Sequence, residues 1–282
     1  MKGRLKLTLV LVALAGAASE PAWAEVKLGI LPRLSATEMN TMLTPLAEYL
    51  SKEIGDKVVL VIPKEFADFK DLVARGQVDL GYANPLLYVQ LRRDANVEPL
   101  AVASEPKVGV RFRGVIVTRK DSGIATLQDL KGKKLIFVDK DSPGGYMFQL
   151  VLLRKAGLDP ERDFTTLPFA KKHDNVLLAV LNKAADAGGV REPDFDKLRG
   201  TLDLEALRVI GYTDNMPGWT VFATTRAGET LAGKVKRALL KLKPGSPEAL
   251  SVLERANLNG FASTTDKDFD RIREAARLAG AY

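Results

Sequence analysis

Phe137-Val138-Asp139-Lys140-Asp141-Ser142-Pro143-Gly144-Gly145-Tyr146 is the most informative stretch of this 282-residue chain. The apolar run Leu135-Ile136-Phe137-Val138 reads as a strand that gives way to a polar turn, after which Ser142 and Pro143 open an apolar helix. Serine is a favoured N-cap and proline a favoured first helical residue. The two glycines that follow need a reason, because glycine is a poor helix former. One reason is that a ligand comes close to bare backbone. Amides of a first helical turn have no partner within the helix, and the positive helix end adds to their pull on an anion. A plain, well-capped helix start is the competing reading, and these ten residues do not separate the two.

A second turn with the same grammar favours the anion seat. Leu80-Gly81-Tyr82-Ala83 ends at Asn84, a cap residue, and Pro85 takes the first helical position. An α/β chain gathers such turns at the carboxyl edges of its strands. Two of them, about 60 residues apart, can face one another across a cleft if they lie in different lobes.

Outward from these turns the chain alternates strands with helices, the pattern of an α/β fold. Strands are expected at residues 26–31, 58–62, 80–82 and 100–103. Helices are expected at 43–54 (Pro45 marking a kink or a late start), at 66–75 and from Pro85. A second series follows, with a short helix at 127–130, a strand at 134–138 and a helix at 143–156. It continues with a strand near 164–169, a helix at 175–183 and a short run at 187–190. Two β-rich passages, residues 114–118 and 218–224, are candidate hinge strands, and only helices are expected after Gly228. The expectation is a two-lobed α/β protein, each lobe a mostly parallel sheet flanked by helices. Residues 25–112 and 219–282 would form a discontinuous lobe 1 and residues 113–218 lobe 2.

The first 24 residues read as a cleaved secretory signal: Lys2, Arg4 and Lys6, an apolar core over 7–18, then Ala22-Trp23-Ala24. That core is too short to span a bilayer, and no later run is long enough. The expected compartment is a bacterial periplasm. The chain has no cysteine, which excludes a thiol nucleophile, a cysteine-ligated zinc and a lipidated amino-terminal cysteine. A secreted chain of this size can be held by its cores without disulfides. Net charge is +7, and removing Lys2, Arg4, Lys6 and Glu20 with the leader would leave +5. The excess sits partly in clusters such as Lys234-Val235-Lys236-Arg237 and mildly attracts anions. No basic patch with interleaved aromatics points to nucleic acid. Hydrolase, zincin and phosphate-loop signatures are missing, and one histidine without cysteine cannot build a histidine–cysteine metal cluster. A non-enzymatic, cofactor-free monomer that binds a small anion is expected.

In order along the chain, Gly76-Gln77-Val78-Asp79-Leu80, Asn84-Pro85-Leu86-Leu87-Tyr88 and Leu127-Gln128-Asp129-Leu130-Lys131-Gly132-Lys133-Lys134 carry a resemblance. So do the Asp139 to Tyr146 turn, His173-Asp174, Ala185-Asp186-Ala187-Gly188 and Asn259-Gly260-Phe261. Together they resemble the phosphonate/phosphite/phosphate substrate-binding proteins of ABC importers. The resemblance implies a two-lobed periplasmic protein that closes on a small oxyanion and delivers it to a membrane permease. The alternative is the same fold reporting ligand to a membrane receptor such as a histidine kinase. Departures bear on the ligand. The family's Ser-Thr-Ser-Gly-Tyr turn is Ser142-Pro143-Gly144-Gly145-Tyr146 here, so one hydroxyl remains of three. Each neutral hydrogen bond lost is worth about 0.5–1.5 kcal/mol net. Lys171-Lys172 replace Gly-Ser before His173, Asn84 replaces a usual glycine, and Arg191 stands where an acidic or amide residue is common.

Candidate ligand-binding residues are therefore Tyr82, Asn84, Ser142, Gly144, Gly145, Tyr146, His173, Asp174 and Arg191. His173 either donates to an oxyanion or merely starts a helix, with Asp174 capping it. Arg191 either grips an oxyanion through two parallel hydrogen bonds or pairs with Glu192 or Asp194. Arg33, Lys171, Lys172, Trp219 and Tyr88 carry the same choice between cleft and ordinary surface or core.

Overall fold

The computed structural model describes residues 25–282, so the expected leader lies outside the described residues. The first series runs β1 (Glu25–Ile30), α1 (Ala36–Ile54), β2 (Lys57–Val61), α2 (Phe66–Ala74), β3 (Leu80–Ala83), α3 (Pro85–Ala95) and β4 (Glu98–Ala103). After β5 (Arg111–Phe112) come β6 (Gly114–Arg119), β7 (Lys134–Ile136), α4 (Phe148–Lys155), β8 (Thr165–Thr166), α5 (His173–Leu181), β9 (Ala187–Arg191), α6 (Glu192–Leu198) and β10 (Leu207–Tyr212). The chain ends with β11 (Met216–Pro217), β12 (Thr220–Ala223), α7 (Gly228–Lys241), α8 (Pro247–Ala256), β13 (Phe261–Ser263) and α9 (Asp270–Leu278).

Two sheet-and-helix lobes result. One sheet has the order β13-β4-β12-β3-β1-β2, the other β10-β6-β9-β7-β8. Four of six strands in the first and four of five in the second run the same way. The interior strands that run against them, β12 and β6, are the β-rich passages expected to be hinges. Their residues are buried on both faces, which an interior strand between helix layers requires. The chain passes between sheets just before each, at β5 and β11, and these pair through Phe112 with Met216.

Side-chain alternation packs the lobes. In β6, Val115 and Val117 join one apolar cluster with Val176 and Val180, while Ile116 joins another with Phe137 and Leu153 on the opposite face. Helix α1 buries Leu43, Leu46 and Leu50 on one side and is held at its start by a Ser35–Glu38 capping box. It runs unbroken through Pro45, so the late start is not seen. Strands β10 and β13 and helix α6 depart from the sequence expectation. β13 is only three residues long, and β10 is a half-exposed edge strand whose apolar signal is diluted by Arg208 and Gly211.

Candidate functional site

Both strand–cap–proline turns form as their sequences dictate. Asn84 has extended backbone, and its Oδ1 accepts from the Leu87 amide at 2.9 Å, capping α3. Ser142 Oγ accepts from the Gly145 amide at 3.2 Å. Residues Pro143–Met147 then make a π-helical turn, with the Met147 amide donating to the Ser142 carbonyl at 3.1 Å. The turns meet across the cleft, where Asn84 Nδ2 donates to the Asp141 carbonyl at 3.2 Å.

The paired glycines have a steric cause. A Cβ at Gly144 would lie 2.8 Å from the Phe112 ring, and one at Gly145 would lie 2.5 Å from Val138. Beneath them, fully buried Gln149 donates through Nε2 to the carbonyls of Gly144 and, at 3.3 Å, Val190. It thereby ties the turn to the end of β9.

Next to the turns lies a buried cluster of charge. Arg191, at the end of β9, pairs with Glu105 from the segment after β4 and with Asp194 at 3.5 Å. Arg33, just past β1, reaches Asp194 at 3.3 Å, and His173 Nε2 reaches it at 3.5 Å. The Arg191 amide donates to His173 Nδ1 at 3.2 Å, which leaves the imidazole proton on Nε2, towards Asp194. Burial pushes the His173 pKa down and holds the ring neutral. Burial would raise Asp194, but the Arg191 guanidinium, with the His173 Nε2–H and Arg33, outweighs it and holds the carboxyl at about 2. Each guanidinium lies on an aromatic ring, Arg33 on Trp219 at 5.1 Å and Arg191 on Phe112 at 4.3 Å. In each, the buried Nε–H has no partner among the described residues. Contacts of 3.3–3.5 Å are long for charge-assisted hydrogen bonds, so Asp194 sits loosely among its three donors.

These groups enclose a cavity of about 20 Å³, room for about one water. Of the expected residues, Asn84, Ser142, Gly144, His173 and Arg191 line it, as do Arg33, Lys171 and Trp219. The others stand back from it. Tyr82 is buried behind Trp219, with ring centroids 5.3 Å apart. The Gly145 amide is taken up by Ser142 Oγ, so it is not a bare donor. Tyr146 packs edge-on between Phe137 and Phe169 in the core of its lobe. Asp174 turns its carboxylate to the Asn175 amide at 2.9 Å, and Tyr88 is wholly buried with its hydroxyl on Asp266. Phe66, Phe112, Val138, Pro143 and Asp194 complete the wall. Asp194 was readable only as a partner for Arg191 three residues earlier. Glu105 carries no sequence signal, because its pairing spans 86 residues.

Five polar contacts join the two sides: Lys70 to Asp141 at 2.6 Å, Asn84 to the Asp141 carbonyl, Arg33 to Asp194, Arg191 to Glu105, and Arg154 to the Leu278 carbonyl at the end of α9. Among the described residues no group of three or more His, Cys, Asp or Glu side chains could hold a metal ion, and no helix is long and apolar enough to cross a membrane.

Residues 28–269 match the family described as "ABC transporter, phosphonate, periplasmic substrate-binding protein". The chain is 28% identical over 277 residues to the tetrathionate sensor histidine kinase of Salmonella typhimurium, covering 90% of this chain and 47% of the kinase. It thus spans about half of that relative's length. It is 25% identical over 276 residues to the phosphate-import protein PhnD of Mycolicibacterium smegmatis, covering 91% of this chain and 86% of that one. Its fold is similar to that of PhnD1 of Prochlorococcus marinus in complex with methylphosphonate. The TM-score is 0.82 at 20% identity, over 92% of this chain and 99% of that one.

Proposed function

Since the chain belongs to the phosphonate periplasmic substrate-binding family of ABC transporters, we propose that it captures a small oxyanion between its lobes and delivers it to the membrane permease of an importer. The family makes it a periplasmic protein that binds its ligand without transforming it. The ligand class is that of phosphonate, phosphite and phosphate. Residues 25–112 and 219–282 act as one jaw and 113–218 as the other, flexing where β5 and β11 pair.

The observation that carries this reading is the pair Arg33 and Arg191. They approach one cavity from opposite sheets, each laid on a ring, each with an unbonded Nε–H. A planar guanidinium so held loses little freedom when it grips an oxyanion through two donors. Asn84, Ser142, Gly144 and His173 line the same cavity. About 20 Å³ does not admit a phosphate-sized ion, so the jaws part for entry. On reclosing, the ion takes over donors that Asp194 holds loosely. Its differential affinity for the closed state drives closure. Tyr82, Gly145, Tyr146 and Asp174 support the seat from behind.

Isothermal titration of the mature protein with phosphate, phosphite, methylphosphonate, sulfate, tetrathionate and small carboxylates tests this. Saturable binding of an oxyanion with a raised thermal midpoint is expected; binding of none of them contradicts it.

A second reading is favoured by the 28% identity to a tetrathionate sensor kinase over 90% of this chain. Here the same capture would be reported to a membrane receptor, and sulfur oxyanions would join the ligand class. Deleting the gene separates the two. Lost uptake of the identified anion supports import, and lost transcriptional response with uptake intact supports sensing.

A further inference from the structure

A second cavity, of about 200 Å³, adjoins the first and shares Phe66 and Lys171 with it. Both sides of the cleft build it: Lys64 and Glu65 ahead of α2 on one side, Asp139, Lys140, Asp141 and Lys172 on the other. Two of its carboxylates are already paired, Asp139 with Lys171 at 3.3 Å and Asp141 with Lys70 at 2.6 Å. Lys64, Lys140 and Lys172 have no acidic partner among the described residues, against a single unpaired carboxylate, Glu65. The chamber therefore keeps a positive excess beside a cavity that already presents two arginines.

The backbone at the shared wall is unusual. Lys171 adopts φ 67°, a left-handed conformation that glycine takes freely and lysine resists. Lys107 and Lys183 share that conformation away from these cavities, so at Lys171 it bears on the site through direction alone. It fixes the direction in which Lys171 and Lys172 leave the chain, at the junction of the two cavities.

We infer that the ligand is an elongated dianion with an acidic group at each end, one end seated by Arg33, His173 and Arg191 and the other by Lys64, Lys140 and Lys172. This rests on the anion-capturing reading above and narrows its ligand class. Each end meets cations from both sides of the cleft, Arg33 with Arg191 in the inner cavity and Lys64 with Lys140 and Lys172 in the outer one. One closing motion then clamps both heads. A one-headed anion fills the inner seat and leaves the lysines unused.

The test is isothermal titration with 1,2-ethanedisulfonate and ethanesulfonate, on the mature protein and on a Lys64→Gln, Lys140→Gln, Lys172→Gln triple variant. Wild type should bind the two-headed probe about tenfold or more tighter, and the triple variant should lose that preference with ethanesulfonate binding unchanged. Equal affinities in wild type, or a preference that survives in the variant, overturn the inference while leaving the anion-binding function standing. If wild type binds neither these probes nor any oxyanion of the panel above, the anion-binding function itself fails and the inference with it. The three lysines are surface side chains, and an unchanged thermal midpoint checks that the variant folds.

Discussion

Glu105 and Asp194 both close on Arg191, so its guanidinium is largely neutralised before any ligand arrives. Asp194 is then a competitor at the seat as well as a structural partner. Asp194→Asn keeps the shape and removes the charge. It should tighten phosphate binding by about tenfold while lowering stability by about 3 kcal/mol, since a buried ion pair is broken. Titration calorimetry and thermal unfolding read the two effects separately, and weaker binding would show that Asp194 orients the arginines instead. Acidification probes the same cluster. His173 is held neutral, its pKa depressed from 6.5, so its contribution is present above pH 6.5 and is lost as pH falls below it. Asp194 is depressed from 3.8 to about 2, so its contribution holds above about pH 4 and is lost as pH falls towards 2. Both act in one direction: stability should fall on acidification in two stages, and His173→Asn should remove the upper one. At this scale the capping residues Asn84 and Ser142 were legible, because caps are read from near neighbours. Glu105 was not, because its charge is matched from a distant part of the chain.

At the scale of elements, the turn before α4 depends on Gln149, whose amide joins the Gly144 carbonyl to the end of β9. Gln149→Leu fills similar space but strands two buried carbonyls. It should cost about 2 kcal/mol or more, lowering the thermal midpoint by about 5 °C. Anion binding should weaken with it, because Arg191 follows directly on Val190; an unshifted midpoint would mean the turn is held by packing alone. The sequence displayed the strand, the cap and the proline of this element but not the steric need for its glycines. Their small size is required by Phe112 and Val138, long-range neighbours that no local pattern reveals. Helix α6 was missed for a related reason. It is seven residues long with Pro193 in its first turn, and two charges give it its place, Asp194 on the cluster and Glu192 on Arg113 at 2.7 Å.

For the whole molecule, alternation of strands and helices was enough to anticipate two lobes. The passages expected to be hinges lie directly after the points where the chain changes sheet. Residues 114–118 and 218–224 are β-rich because they become interior strands, and the crossings before them are too short and mixed to announce themselves. Those crossings also carry the aromatic platforms of the site: Phe112 in β5 under Arg191, and Trp219 between β11 and β12 under Arg33. On the jaws proposed above, flexing there would move both guanidinium supports together and so couple closure to the grip on an anion. The most direct measurement is titration of the tightest oxyanion of the panel into wild type and Arg33→Met. Arg33 follows β1 of one sheet while His173 and Arg191 lie at α5 and β9 beside the other, and among the described residues no ion pair joins Arg33 to Glu105. If an anion is held between the jaws, Arg33→Met should bind it at least tenfold more weakly while keeping its fold; affinity equal to wild type would contradict capture across the cleft.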